Sequence, residues 1–125
     1  MHTEVILDSI KKMLGITSGY DVYDSDIIMH INSVFFVLQQ LGVGPPDGFR
    51  ISGNGETWDD YMLESQDIES VKSYMYLRVK MLFDPSLNSA VIEAMERQIK
   101  ELEWRLNVQV DTPVTKKEKR HVGIQ

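Results

Sequence analysis

The chain has 125 residues, no cysteine, 42% hydrophobic residues and a formal net charge of −6. Such values suit one globular domain with a modest core rather than a disordered chain, and they exclude a disulfide framework or a thiolate metal site. The longest apolar run, Val34 to Leu38, falls far short of the roughly 20 residues needed to cross a bilayer, and no basic-then-apolar signal opens the sequence.

The charge is unevenly placed. Residues 1–110 hold nine Lys and Arg against seventeen Asp and Glu, a net of −8, whereas the tail carries Lys116, Lys117, Lys119 and Arg120 around Glu118. An acidic body is poorly suited to gripping phosphates. Its plain reading is solubility; its functional reading is a surface that lets DNA pass without holding it.

Thr3 is positioned to cap a first helix from Glu4 to Leu14, with Val5, Ile6, Ile10, Met13 and Leu14 at helical spacing and Gly15 as the stop. After a connector over 16–23, Asp24 or Ser25 caps a second helix that ends at Leu41-Gly42. Its core stripe is Ile27, Ile31, Val34, Leu38 and Leu41. Met29 and Phe36 fall off that stripe, beside Asn32 and Gln39, and Val37 lies with His30, Ser33 and Gln40. A helix this apolar all round belongs at the centre of a bundle or against another subunit.

Residues 43–57 change character. Proline and glycine forbid a helix, and Phe49 and Ile51 alternate with polar neighbours, so a short strand, a β-hairpin or an extended loop is expected. Thr57 with Asp60 reads as the start of a helical turn carrying Trp58, Tyr61 and Met62. From Asp67 to Phe83 the apolar residues alternate as in a strand, yet Ile68, Val71, Met75, Val79 and Leu82 also fit a helix. Strands seldom exceed about 10 residues, so helix wins. Asp84-Pro85 ends it, because the residue before proline is pushed out of helical geometry. Asn88 or Ser89 then caps a last helix to about Leu106, with the stripe Ile92, Met95, Ile99, Leu102 and Leu106. Glu93–Arg97, Glu96–Lys100 and Glu101–Arg105 are favourable four-apart pairs. Trp104 points away from Leu102 and needs a cover, either the returning tail (Val108, Val110) or another chain.

No catalytic constellation emerges. Asp26 and His30 share a helix face, but two ligands do not make a metal site. Asp59 and Asp60 diverge on a helix, and Asp60 has a capping role. Gly42-Val43-Gly44 and Gly53-Asn54-Gly55 lack the strand and lysine of a phosphate loop. The loop aromatics Phe49, Trp58 and Tyr61 either close the open end of the bundle or anchor a protein interface. Tyr76, among Lys72, Ser73 and Lys80 on the polar side of its helix, joins Met29, Phe36 and Trp104 as large groups facing away from their own stripes. Such residues on three helices argue that the monomer is not the working unit.

Five stretches carry a family resemblance: residues 6–15 (Ile6 to Gly15), residues 26–32 (Asp26 to Asn32), Leu41-Gly42-Val43-Gly44-Pro45, Thr57-Trp58-Asp59-Asp60-Tyr61, and the run from Tyr76 through Phe83-Asp84-Pro85 to Glu101-Leu102-Glu103-Trp104-Arg105-Leu106. Together they resemble the head–tail connector proteins of long-tailed phages of Gram-positive bacteria, the neck adaptors or head-completion proteins often labelled DNA-packaging proteins. The residue pattern gives a mainly α, four-helix bundle-like domain over residues 1–110 and a flexible basic tail over 111–125, which falls outside the resemblance; the resemblance implies a small, mainly helical subunit. It implies a structural part without catalysis, cofactor, metal or membrane, assembled in the host cytoplasm and seated in the virion neck. There it would form a homo-oligomeric ring, dodecameric in the virion, beneath the portal protein. The ring would extend the channel for passing double-stranded DNA without sequence-specific binding, help retain the genome and dock a downstream stopper or tail-completion protein. Lys116, Lys117, Lys119 and Arg120 would serve as a partner-docking tail. The competing reading is a small helical regulatory or nucleic-acid-binding module that uses the same tail on DNA.

Overall fold

The computed structural model describes residues 4–61 and 68–110. Its elements are α1 (Ile6–Met13), α2 (Asp24–Gln40), the single turn α3 (Trp58–Tyr61), α4 (Ile68–Phe83) and α5 (Ser89–Val110). The protein is mainly helical and bundle-like, as the hydrophobic spacing predicts. Among the described residues the extended backbone is limited to one antiparallel bridge, Val5 with Thr57.

Local chemistry explains most boundaries. α1 starts two residues later than expected because its entry is tied to the loop: Ile6 N–H donates to Glu56 O at 3.0 Å and Trp58 N–H to Glu4 O at 3.2 Å. Thr3 lies outside the described residues. At the other end, Gly15 takes φ +83°, while Gly15 N–H donates to Lys12 O and Ile16 N–H to Lys11 O. That pair of bonds is a Schellman stop, and α2 ends the same way, with Gly42 N–H on Gln39 O and Val43 N–H on Leu38 O. Asn88 caps α5, its Oδ1 accepting from Ala90 N–H at 2.9 Å and Val91 N–H at 3.2 Å.

The expected cap of α2 does not form. Tyr23 occupies the cap position without a side-chain bond, because the Asp24 carboxylate lies 2.7 Å from Lys11 Nζ, a nearly buried ammonium. A lysine so removed from water needs a counter-charge more than the helix end needs a cap.

α4 packs against both α2 and α5. The core combines the α2 stripe Ile27, Ile31, Val34 and Leu38 with Ile6, Leu7, Ile10, Val71, Met75 and Val79. The loop after α2 forms no strand. Asn32 holds it instead, its Nδ2 donating to Ile51 O at 2.9 Å and its Oδ1 accepting Ile51 N–H at 2.7 Å. One amide side chain thus supplies both bonds a ladder would have given and lets Ile51 be buried.

Candidate assembly surface

The structure sorts the candidate interface residues into two groups. Trp58 is fully buried and Tyr61 nearly so. Thr57 and Asp60 form the expected reciprocal cap of α3, with Thr57 N–H on Asp60 Oδ2 at 2.9 Å and Asp60 N–H on Thr57 Oγ1 at 3.3 Å. This turns the indole inward, where Nε1–H donates to Ser9 Oγ at 2.9 Å and Ser9 in turn donates to Ile6 O. Phe49, half-buried, stands edge-on to Phe35 at 5.1 Å and to Tyr61 at 5.3 Å. These loop aromatics therefore close the bundle itself, and Trp58 and Tyr61 are not available as surface anchors. Tyr76 is half-buried against the same core.

Met29 and Phe36 on α2 and Trp104 on α5 form the second group, with exposures of 60%, 60% and 68%. Met29 and Phe36 are two turns apart on one face of α2. Trp104 shares its face of α5 with exposed Val108, one turn on. Val108 is itself exposed and α5 runs unbroken to Val110, so the chain does not turn back over the indole within α5; the tail after Val110 lies outside the described residues. Tail residues Lys116, Lys117, Lys119 and Arg120 lie outside the described residues.

Sequence reading missed some surface groups. Leu82, placed in the core stripe, is half exposed and lines the open groove between α4 and α5, and Leu87 and Val91 stand open near the tip of the α4–α5 hairpin. The one signal for Leu87 was its place in a turn, just before a capping asparagine. Between α4 and α5 a groove of about 500 Å³ is lined by Arg78, Met81, Leu82, Glu96, Ile99, Lys100 and Glu103. Its inner edge is a polar seam in which Glu103 accepts from Tyr74 OH at 2.8 Å and Arg78 at 3.2 Å.

The electrostatics are structural in character. Burial raises the hydroxyl pKa of Tyr61. It also raises that of Tyr74, where the hydrogen bond to Glu103 adds to the effect. Asp26 and His30 line a shallow depression with Tyr23, Phe83 and Asp84, but Asp84 is held by Lys80 at 2.9 Å. Among the described residues no three His, Asp or Glu side chains are placed to share a metal ion. No helix there is long and apolar enough to cross a membrane.

The arrangement is a small bundle with a sealed core and bulky apolar groups presented on its flanks. A family model described as "Phage connector protein" matches residues 6–113. The chain belongs to the phage connector protein family. The match takes in every described helix, so the connector unit includes both the Trp58 core and the Trp104 surface. No curated protein and no solved structure matches the chain.

Proposed function

We propose that this connector protein is a ring-forming adaptor in the neck of a long-tailed phage of a Gram-positive host. In this reading copies of the chain assemble beneath the portal, extend the DNA channel, help retain the packaged genome and dock the next neck or tail component. Beyond family membership, one observation carries it: Met29 and Phe36 on one flank and Trp104 on another are bulky apolar groups left in water. Exposed aromatic and methionine side chains of this kind are typical anchors of protein interfaces. The acidic body is consistent with a channel lining that does not retain the duplex. Residues 1–110 would be the connector unit, and Lys116, Lys117, Lys119 and Arg120 a segment that docks onto an acidic neighbour. The role is structural, without catalysis.

Deletion and complementation test the proposal. A phage lacking this chain should fill heads but fail to join them to tails, and supplying the chain in trans should restore infectious particles. Filled heads that attach tails normally without it would sink the proposal. If removing residues 116–120 abolished salt-sensitive DNA binding by the purified chain, the nucleic-acid-binding module would be favoured instead.

A further inference from the structure

We infer that neighbouring copies of this chain meet head to tail, the Trp104 face of α5 from one copy packing on the Met29–Phe36 face of α2 from the next. This rests on the ring reading above and names the surfaces that would close it. A ring needs two different faces that fit each other, since a face meeting its own copy stops at a dimer. α2 and α5 both pack mainly on α4 and come together at their C-terminal ends, so the Met29–Phe36 face and the Trp104 face are different surfaces of the subunit, as a head-to-tail contact requires.

Helix direction and level then fix the match. The Tyr23 and His30 rings meet Phe83, at 5.2 and 6.5 Å, which sets the start of α2 beside the end of α4. α5 starts only a short turn after Phe83 ends α4, and Tyr74 and Arg78, earlier in α4, reach Glu103 late in α5, so α5 is antiparallel to α4. It follows that α2 and α5 run in the same direction. Their ends are level, because Asn107 Nδ2 donates to Leu41 O at 3.2 Å. Rotation about an axis along the helices preserves both direction and level. At about 1.5 Å per residue, Trp104 then faces the next copy at the level of Leu38, between Phe36 and Gln40 on the exposed side. Arg97 arrives between the levels of Met29 and Ser33. Long helical side chains lean toward the helix N-terminus, which carries its guanidinium toward Asp26. Arg97 and Asp26 are both exposed, and neither is in an ion pair among the described residues. The two faces thus offer an apolar centre and one complementary charge pair, and the occupant of each is a second copy of this chain.

The natural absence of cysteine makes a clean test possible. Particles produced by complementing a deletion phage with the double variant Gln40→Cys, Val108→Cys, exposed positions one turn on from Phe36 and Trp104 that leave both anchors in place, are treated with a short bismaleimide and resolved on a denaturing gel. The expected result is a ladder of covalent oligomers extending past the dimer, absent from either single variant. Dimers from a single variant would mean that a face meets itself, and an adduct with a different neck protein would mean another occupant. Either would overturn the inference, as would no ladder in particles that contain the chain. All three leave the connector reading intact, because that reading fails only in the deletion experiment. A second arm needs no cross-linker: Arg97→Asp and Asp26→Arg should each lower infectious titre, and together they should restore it. A double variant no better than the singles would refute the charge pairing.

Discussion

Around Trp58, the loop after α2 and three helices converge so tightly that the indole is fully buried and hydrogen-bonded. Along α5, by contrast, Ile99 and Leu106 are the buried apolar residues among those described, and Trp104 stands in water. The same residue type thus has opposite fates within one small chain. The difference lies in how each tryptophan is presented. Trp58 opens a capped turn that aims it at α1 and α2, whereas Trp104 lies on the side of α5 away from its single main neighbour, α4. The first region makes the fold, and the second makes a surface.

The sharpest way to break this contrast is to remove the buried ring. Trp58→Ala should destabilise the protein by about 3–5 kcal/mol, the range for deleting a large aromatic from a core. Urea denaturation reads the change directly. A loss under about 1 kcal/mol would show that the loop is not integral to the fold.

Glycines separate packing from backbone strain. Gly44 has φ +89°, and a Cβ there would sit 2.5 Å from the Tyr61 ring, whereas Gly15, at φ +83°, has nothing within 4 Å. Gly44→Ala should therefore combine left-handed strain with overpacking, about 2–4 kcal/mol. Gly15→Ala carries the strain alone, about 1–2 kcal/mol. Equal losses in the two variants would mean that Tyr61 yields easily and that the aromatic cluster is loose.

pH probes one tyrosine in each region. Tyr61 in the loop cluster and Tyr74 at the α4–α5 seam both have hydroxyl pKa values raised above the ordinary 10.0. Above about pH 10 the unfolded chain loses these protons while the folded chain keeps them, so unfolding is favoured. The contribution is complete below the unfolded pKa and declines as pH rises through it. By about pH 11 each site should account for roughly 1 kcal/mol of lost stability. Thermal melts of Tyr61→Phe and Tyr74→Phe should each show a shallower alkaline decline than the parent, and an unchanged slope would contradict the burial of that hydroxyl.

Much of the fold was legible in sequence because it is decided locally. Gly15 and Gly42 end helices, Asp84-Pro85 breaks one, Asn88 caps the last and Thr57 with Asp60 caps the short turn; each needs only neighbours along the chain. What escaped depends on residues far apart. Asp24 leaves its cap for Lys11, and Asn32, a polar residue in mid-helix, clamps Ile51 across nineteen positions. The candidate surface was half legible for the same reason. Periodicity placed Met29, Phe36 and Trp104 off their core stripes, which is a local inference. It had no means of telling that Trp58 and Tyr61 would be sealed inside, since that depends on where the loop returns.

The smallest stability effect carries the largest consequence for assembly. Trp104→Ala removes a side chain that is 68% exposed, so its effect on folding should fall within about 0.5 kcal/mol, the usual range for surface positions. Phe36→Ser, at 60% exposure, should behave alike. Both proteins should show the parent's denaturation midpoint and circular dichroism, yet yield particles that lack the chain or fail to attach tails. Trp58→Ala gives the opposite profile, with folding and assembly lost together. If Trp104→Ala and Phe36→Ser instead assemble as the parent does, the apolar groups on the flanks are only solvent-exposed side chains, and the proposed contact between copies through these two faces is wrong.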